Sequence, residues 1–322
     1  MLNIILIGAG ELGSRHLQGL VKVNHMLNIW VIDPSSESLA RAEERLEEIE
    51  YDKKRIKTFF SNSLVPLDEP IFLCIVATSS KVRMGVIIEV VEKHSIKYML
   101  LEKFLFQKEK EYNICRKLLS DKSIDCWVNC TRRMFPVYNQ IKDALAVNDK
   151  IMLTVIGGSW GLGSNSIHFL DLFNFLSGEG DDLEGIANIT DVNKSKRLGY
   201  IELEGTFNFR KSNGSELLLH SRFNSVNSLQ MQIMSDGCLW RIDENNKIVE
   251  KFIKGQKVSE ESFELPFQSS LTNLVCEKLI SDGQIDLPTY ESSMKGHKKL
   301  LEILNKELPR HKIQVKEGCP IT

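Results

Sequence analysis

The stretch LNIILIGAGELG, residues 2–13, decides the fold of this 322-residue chain. Leu2 to Ile7 is an almost wholly apolar run rich in β-branched residues, which predicts a strand buried on both faces, as in a parallel sheet. Gly8, Gly10 and Gly13 follow directly in the spacing GxGxxG. A strand that runs straight into this spacing is typical of a dinucleotide-binding turn.

The residues after the glycines complete the pattern. A helix-compatible segment extends to about Val23, and a second apolar run, Leu27 to Ile32, predicts the next strand. That run ends in Asp33, an acid 20 residues after Gly13. Strand, glycines, helix, second strand and acid therefore occur in the order of a Rossmann unit; the alternative is a glycine-rich turn with no ligand.

Each part of the turn has a physical role. Gly8 permits the tight turn out of the strand, Gly10 lets a pyrophosphate approach the backbone, and Gly13 lets the helix pack closely on the strand. The helix that starts at Glu11 and Leu12 offers backbone N–H groups and the positive end of its dipole to the phosphates. We expect all five residues to contact the cofactor or shape its site.

Asp33 sets the expected cofactor. Its carboxylate can accept hydrogen bonds from the adenosine ribose hydroxyls, and its charge would repel a 2′-phosphate. NAD(H) is therefore favoured over NADP(H). Arg15 and His16 follow the glycines within reach of the phosphates, although His16 could equally be an ordinary helix residue.

Composition limits the class of protein. The length suggests two domains, and the net charge of −2 with no basic block gives no indication of nucleic acid or an anionic membrane as partner. We find no signal peptide and no membrane-spanning run, so we expect a cytoplasmic protein. Seven scattered cysteines indicate reduced thiols, with Cys74 buried in a strand, and no His, Cys, Asp or Glu cluster has metal-ligand spacing.

The alternation of strands and helices continues to about residue 122, which predicts a Rossmann domain over residues 1–122. Ser35 and Ser36 are candidates to cap the second helix. Further predicted elements are strands at Ile56–Phe60, Ile71–Val76 and Ile96–Leu101, and helices at Val82–His94 and Glu109–Leu119.

Polar residues follow two of these strands, at the edge where parallel sheets bind ligands. Thr78 and Ser79 come after Ile71–Val76 and are candidates to border the cofactor or to cap the next helix. Glu102 and Lys103 come after Ile96–Leu101, where a lysine would emerge beside the nicotinamide end, and both are candidates to contact the cofactor.

Residues 123–322 predict a second α/β domain with an open, mostly antiparallel sheet, because Asn213-Gly214, Asp236-Gly237 and Asn245-Asn246 are hairpin turns between strand-like runs. The predicted strands are Cys126–Thr131, Ile151–Gly158, Leu183–Val192, Tyr200–Arg210, Ser215–Phe223, Leu229–Ser235, Cys238–Ile242, Ile248–Ile253 and Ile313–Val315. The predicted helices are Phe135–Val147, one that carries His168 and stops at Gly178, and two at about 268–281 and 290–307.

Four features together resemble the Gfo/Idh/MocA oxidoreductases over nearly the whole chain. They are GAGELGSRH at the N-terminus, the Glu102-Lys103 pair, Asn129 with Arg132-Arg133, and His168-x-x-Asp171 before Gly178. The resemblance implies a Rossmann domain followed by the open antiparallel sheet, NAD(P)-dependent hydride transfer at a carbinol carbon, and dimers or tetramers formed through the sheet face.

The resemblance also implies that Lys103 and His168 line the reaction centre. Two positions depart from the family pattern. Phe104 stands where the family usually has proline after the lysine, and Ser164 stands where it often has an aspartate one helical turn before the histidine.

We interpret His168 as the acid/base and Lys103 as its electrostatic partner, because an imidazole suits proton transfer near neutral pH and an ammonium stabilises charge on a substrate oxygen. The alternative makes Lys103 the proton-transferring group, and a core histidine is the structural alternative for His168.

Five further residues are candidates to bind the substrate. Arg132, Arg133, Trp160 and Asn165 suit sugar hydroxyls or a phosphate, and Asp171 lies one turn after His168, where it could orient the imidazole or a neighbouring backbone group. The alternatives are a salt bridge for each arginine and a core position for Trp160.

The function predicted is an NAD-dependent oxidoreductase acting between nicotinamide and a carbinol or keto carbon of a sugar, cyclitol or nucleotide sugar. The alternatives are a catalytically silent cofactor-binding sensor or scaffold and an imine or enone reductase of the same fold. We expect a homodimer or homotetramer, because Phe207, Phe209, Leu217, Leu219, Met231 and Ile233 divided between the two sheet faces would leave an exposed apolar face.

Overall fold

The computed structural model describes residues 1–146, 149–180 and 182–322. The first half of the chain contains β1 (Leu2–Ile7), α1 (Glu11–Leu20), β2 (Leu27–Ile32), α2 (Ser36–Glu47), β3 (Ile56–Ser61), β4 (Ile71–Val76), α3 (Arg83–Lys93), β5 (Ile96–Leu101), α4 (Glu109–Asp121), β6 (Asp125–Val128), α5 (Pro136–Ala144) and β7 (Met152–Gly158). The second half contains α6 (Leu162–Ser177), β8 (Glu184–Lys194), β9 (Ile201–Arg210), β10 (Glu216–Arg222), β11 (Gln230–Met234), β12 (Cys238–Asp243), β13 (Ile248–Ile253), β14 (Gln256–Ser262), α7 (Gln268–Ser281) and α8 (Tyr290–Glu307).

The chain divides into two compact units. The first comprises Met1–Phe106, Lys110–Asn129 and Pro266–Glu291, and the second comprises Gln107–Glu109, Cys130–Leu265 and Ser292–Thr322. The main division thus falls after Asn129 instead of at the predicted 122/123, and a segment near the C-terminus returns to the first unit.

The first unit is built on a six-stranded sheet in the order β3-β2-β1-β4-β5-β6. All five strand pairs are parallel. The runs LNIILI in β1 and IFLCIV in β4 occupy the two central strands, and most of their side chains are fully buried. The predicted Rossmann domain is confirmed, and its strand order reverses between β1 and β4, where a dinucleotide crevice forms in such sheets.

Two elements assigned by sequence to the second domain belong to the first unit. The predicted strand Cys126–Thr131 is β6, which pairs in parallel with β5 and extends the first sheet. Helix α7 packs on α1, where a Cβ added at Gly19 would lie 2.3 Å from the carbonyl oxygen of Ser269. Only a glycine allows this approach of the two helices.

The second unit contains an eight-stranded sheet in the order β14-β13-β12-β11-β7-β10-β9-β8. Every pair is antiparallel except β7 with β10, so the predicted open, mostly antiparallel sheet is confirmed. The three predicted hairpin turns join β9 to β10, β11 to β12 and β12 to β13. Strand β14 is an addition, because its polar sequence QKVSEES lacks the apolar alternation that predicts a strand.

One face of this sheet is apolar and covered. The six apolar residues expected on both faces all lie on a single face, each at most 1% exposed. They are Phe207, Phe209, Leu217, Leu219, Met231 and Ile233. The expected division between faces was wrong, because the register places Leu217 opposite Phe209 and Leu219 opposite Phe207. The other face exposes Ile156, Ile186 and Met234 among polar side chains.

Two element ends agree with predicted caps. The Ser35 side chain caps α2 by accepting a hydrogen bond from the Ser38 backbone N–H at 3.2 Å, and Gly178 ends α6 with φ of 85°. Helix α5 ends at Ala144, and Val147, its predicted end, lies outside the described residues. The predicted strand Ile313–Val315 was wrong, because that segment forms no strand.

A membrane-crossing helix needs about 20 predominantly apolar residues. None of the helices within the described ranges combines the length and apolar character that a crossing would require.

Candidate functional site

The turn between β1 and α1 is fixed by two glycines. Gly8 has φ of +98°, and a Cβ there would lie 2.9 Å from the backbone carbon of Ala77. A Cβ at Gly13 would lie 1.8 Å from the carbonyl oxygen of Gly8. Both positions therefore exclude any side chain, since the obstacle in each case is backbone.

Gly10 is different, because a Cβ added there would meet nothing within 4 Å. The protein therefore leaves open space at the middle glycine, at the start of α1. Gly10 is the N-cap of this ten-residue helix, so Glu11 and Leu12 stand at its first two positions, where N–H groups have no intrahelical acceptor. Open space beside unsatisfied donors and a positive dipole end fits a pyrophosphate.

Asp33 lies beside the glycine turn. Its Oδ2 accepts a hydrogen bond from the backbone N–H of Ala9 at 2.8 Å, and its Oδ1 accepts one from Ser35 N–H at 2.9 Å. These bonds hold the carboxylate at the end of β2, next to the turn. The geometry fits a dinucleotide whose adenosine ribose meets an acid at this point.

The Glu11 side chain points to a different partner. Its carboxylate receives two hydrogen bonds from Arg45 Nη2 at 2.7 and 2.9 Å, which lower its pKa. Arg45 Nη1 also donates to Ser14 Oγ at 2.7 Å. Any contact of Glu11 with a cofactor would therefore come from its backbone N–H.

Thr78 and Ser79 stand after β4, where the sequence predicted them. Neither side chain caps the next helix, because α3 has Val82 as its N-cap and no side-chain capping bond. Instead the backbone oxygen of Ser79 accepts from the N–H groups of Val82 and Arg83. Of the two roles predicted for these residues, bordering the cofactor stays a prediction.

A buried polar network holds the end of β5. Glu102 Oε1 accepts hydrogen bonds from Asn129 Nδ2 and from the ring of His16, with 2.9 Å to His16 Nε2. The other ring nitrogen of His16 lies 2.9 Å from Thr272 Oγ1 on α7. Burial raises the pKa of Glu102, but hydrogen bonds from His16 and Asn129 outweigh it, and the pKa lies below its ordinary value.

This network corrects the expectation for His16. The side chain is fully buried and turned toward Glu102, so it neither reaches the phosphates nor serves as an ordinary helix residue. A direct contact of Glu102 with the cofactor stays a prediction. The packing of α1 against β5 and α7 brings these residues together, and no local spacing in the sequence predicts their contact.

Lys103 follows Glu102 and is partly exposed, whereas Phe104, Leu105 and Phe106 after it are fully buried. The Lys103–Phe104 peptide bond is cis. A buried run directly after the lysine fixes the backbone on one side of it, and the Glu102 network fixes it on the other.

In the second unit, helix α6 is mostly buried, and its first two turns carry a short polar stripe. Ser164, Asn165 and His168 are the partly exposed residues in its first two turns, at spacings of one and three residues. Glu202 Oε2 accepts from the backbone N–H of Gly163 at 3.1 Å and so caps this helix from β9. No motif or spacing in the sequence marks Glu202 for this role.

Arg133 and Asp171 pair with each other. Arg133 Nε and Nη2 each donate to one Asp171 oxygen at 2.8 Å, and its Nη1 donates to Glu179 Oε1 at 2.6 Å. Burial raises the pKa of Asp171 to about 6 against the opposing charge of Arg133. Arg133 therefore forms the salt bridge that was its alternative role, and both carboxylate oxygens of Asp171 accept hydrogen bonds from it.

Arg132 forms a similar pair with Glu244. Its Nε and Nη2 donate to the two carboxylate oxygens at 3.0 and 2.7 Å, and Tyr138 Oη donates to the same acid at 2.6 Å. The guanidinium carbon lies 4.2 Å from the centre of the Phe169 ring. A role for either arginine in substrate binding stays a prediction; acids within the protein already engage Nε and Nη2 of Arg132 and all three guanidinium nitrogens of Arg133.

A hydrogen bond joins Asn165, in the first turn of α6, to Trp160 in the loop before that helix. Trp160 Nε1 donates to the His220 carbonyl at 2.8 Å, and its ring meets Phe169 edge to face at 5.3 Å. Asn165 Nδ2 donates to the Trp160 carbonyl at 2.8 Å. Trp160 remains partly exposed, so its ring is held in place without being a core residue.

No family model matches the sequence, and no curated protein matches it either. Solved structures do match. The chain is similar to a UDP-N-acetylglucosamine 3-dehydrogenase from Acidithiobacillus ferrooxidans, with a TM-score of 0.69 at 14% identity over 94% of this chain and 96% of the other. The fold is that of the Gfo/Idh/MocA oxidoreductases.

Two further structures show the same fold. One is a putative myo-inositol dehydrogenase from Sinorhizobium meliloti 1021, with a TM-score of 0.67 at 13% identity over 95% of this chain and 98% of the other. The other is biliverdin reductase from Synechocystis sp. PCC 6803 in complex with biliverdin and NADP+, with a TM-score of 0.69 at 12% identity over 94% and 98%.

His, Cys, Asp and Glu side chains are the usual protein ligands of a bound metal ion. Within residues 1–146, 149–180 and 182–322, no three of them lie together as metal ligands.

Proposed function

We propose that this protein is an NAD-dependent oxidoreductase that transfers a hydride between nicotinamide and a carbinol or keto carbon of a sugar, cyclitol or nucleotide sugar. The observation that carries the proposal is the open space at Gly10 beside Asp33. A turn without a ligand has no need for empty space over helix donors, and a dinucleotide needs both the space and the acid.

The proposed cofactor is NAD(H). When bound, it supplies the group that accepts or donates the hydride. Gly10, Glu11 and Leu12 would hold its pyrophosphate through backbone groups, and Asp33 its adenosine ribose. Thr78 and Ser79 would border it from the loop after β4.

Proton handling is assigned to Lys103 and His168. Oxidation of a carbinol releases a proton from the hydroxyl oxygen, and an imidazole takes it up effectively near neutral pH. An ammonium stabilises negative charge that develops on the same oxygen. The second form of the proposal gives the proton transfer to Lys103, as the sequence left open.

The substrate class is supported by two neighbours of the same fold, a UDP-N-acetylglucosamine 3-dehydrogenase and a putative myo-inositol dehydrogenase. Both names indicate polyhydroxylated substrates. Asn165 and Trp160 would meet such a substrate beside His168, because Asn165 and His168 share the polar stripe of α6 and Asn165 bonds the Trp160 carbonyl.

The test has two stages. NADH titration followed by fluorescence measures cofactor binding, and absorbance of reduced nicotinamide then follows turnover in a screen of sugars, inositols and nucleotide sugars. Lys103→Met and His168→Asn should each lower kcat by roughly 10²–10⁴-fold with little change in NADH affinity.

The outcomes separate the alternatives. A severe Lys103→Met with a mild His168→Asn would make Lys103 the proton carrier. NADH binding without turnover on any hydroxylated substrate would favour the sensor or scaffold, for which Ser164 in place of an acid and Phe104 in place of proline are the motivating residues. Turnover on imines or enones alone would favour the reductase, a possibility consistent with the biliverdin reductase of this fold.

A further inference from the structure

Arg83, the first residue of α3, carries a charge inside the first unit. It is 1% exposed and is among the largest fully buried side chains. Its Nη1 donates to the carbonyl oxygens of Phe104 and Leu105, at 2.9 Å for Leu105, and its Nη2 donates to the carbonyl oxygen of Thr78. One guanidinium therefore binds three backbone carbonyls.

These carbonyls belong to two neighbouring loops. Thr78 follows β4, whereas Phe104 and Leu105 follow Lys103 after β5. The two strands are paired in register, with Val76 opposite Leu101. Arg83 thus joins the loop proposed to border the cofactor to the loop that carries the proposed lysine.

Phe104 and Leu105 are fully buried, so their carbonyls need donors from the protein, because a buried carbonyl without a donor destabilises the fold. A guanidinium presents several N–H groups in a rigid plane and remains charged, whereas a lysine ammonium is a compact group on a flexible stem. Arginine is therefore the side chain suited to hold both loops at once.

We infer that Arg83 is a positioning residue for Lys103, fixing the backbone immediately after the lysine relative to the Thr78 loop. The inference rests on the proposed function for the catalytic role of Lys103. The positioning itself can be measured without a substrate, because the placement of a lysine affects the rate at which its amine is acylated.

The experiment compares Arg83→Met, Arg83→Lys and the control Arg55→Met. Arg55 is a partly buried arginine of the same unit, and its Nη1 donates to Asn24 Oδ1 at 2.8 Å. It directly precedes β3, so it lies at the amino ends of the strands. The control therefore removes an arginine hydrogen bond without touching either loop.

The readouts are acylation of each lysine by acetic anhydride, followed by peptide mass spectrometry with and without NADH, together with kcat, KM and urea midpoints. In Arg83→Met we expect the Lys103 rate to change several-fold while Lys57 and Lys97 keep theirs. We also expect kcat to fall by about 10²-fold, the effect typical of a misplacement of about 1 Å. Arg83→Lys should recover part of both effects, and Arg55→Met should show neither.

A folded Arg83→Met with the wild-type Lys103 rate and wild-type kcat would overturn the inference. If Arg83→Met does not fold, Arg83→Lys decides by the same criteria; if neither folds, Arg83 serves the fold as a whole and the inference is wrong. Unchanged turnover in Lys103→Met would instead refute the catalytic role in the proposed function, while the acylation result would still judge the positioning.

Discussion

Gly10 and Gly13 belong to the same motif, but replacing them should cause two different defects. Replacing Gly10 by valine should abolish NADH binding and leave the fold nearly intact. Replacing Gly13 by alanine should damage the fold itself. The difference lies in what a new Cβ would meet.

At Gly13 the new Cβ would lie 1.8 Å from the Gly8 carbonyl oxygen, 1.2 Å inside the 3.0 Å limit that real Cβ atoms respect. The obstacle is backbone, so β1 or α1 must shift. Overpacking costs about 1–3 kcal/mol where side chains can adjust, and we expect Gly13→Ala to reach or exceed the upper end of that range.

At Gly10 the new side chain would enter open space, and φ of −66° suits any residue. The loss of glycine at an N-cap costs at most about 1 kcal/mol. The side chain would instead occupy the proposed pyrophosphate position, so we expect NADH affinity to fall by at least about 10²-fold, or about 2.7 kcal/mol.

Fluorescence titration with NADH and urea unfolding measure the two effects separately. Gly85→Ala is the matched control, because a Cβ at Gly85 in α3 also meets nothing within 4 Å; this variant should bind NADH as the wild type does. A folded Gly10→Val that binds NADH normally would refute the placement of the pyrophosphate, and an unchanged urea midpoint in Gly13→Ala would refute the steric argument.

Four further results are expected. NADH should bind at least about tenfold tighter than NADPH, because like charges 4 Å apart repel by about 4 kcal/mol near a protein surface, and Asp33→Ala should narrow this gap in calorimetry. Ser164→Asp should move the acidic limb of the pH–rate profile upward, because a carboxylate one helical turn before His168 favours the protonated imidazole; an unmoved limb would argue for Lys103 as the proton carrier. Burial lowers the pKa of Lys211 from 10.5 to about 8, so the unfolded chain binds more protons across that interval and the free energy of unfolding should rise with pH there; Lys211→Met should flatten this rise in denaturant titrations. Light scattering should show a homodimer or homotetramer, weakened by Ile156→Lys on the exposed sheet face, and a monomer at micromolar concentration would refute this.

The fold was predictable where local pattern and tertiary position agree. The strand Leu2–Ile7 and the glycines after it form a single local unit, so β1 and the turn appear where the sequence predicted them. The placement of β6 was not predictable in the same way, because a four-residue strand can pair with either sheet, and only its register against β5 decides. Helix α7 returns to the first unit for a similar reason, since Gly19 offers the close approach but its partner lies about 250 residues later.

For the site, the sequence indicated which residues are candidates but not which residues they contact. Asp33, Lys103 and His168 could be singled out because strand ends and helix spacing are local properties. Asp171 was expected to orient His168 or a neighbouring backbone group because it lies one turn away, yet both its oxygens bind Arg133. A buried carboxylate pairs with the cation that tertiary packing places beside it. Spacing along the sequence does not predict which cation that is.

The arginines show the same limit from the opposite side. Arg132 and Arg133 were candidates for substrate binding because they are an adjacent basic pair after a strand. Each is bound by an acid more than 35 residues away in sequence. Arg83 was not a candidate, because its partners are backbone carbonyls, which every residue possesses and no sequence pattern marks. A buried arginine that binds carbonyls next to a candidate catalytic residue is visible only once the loops are in place, and it contributes to the site through the backbone it holds.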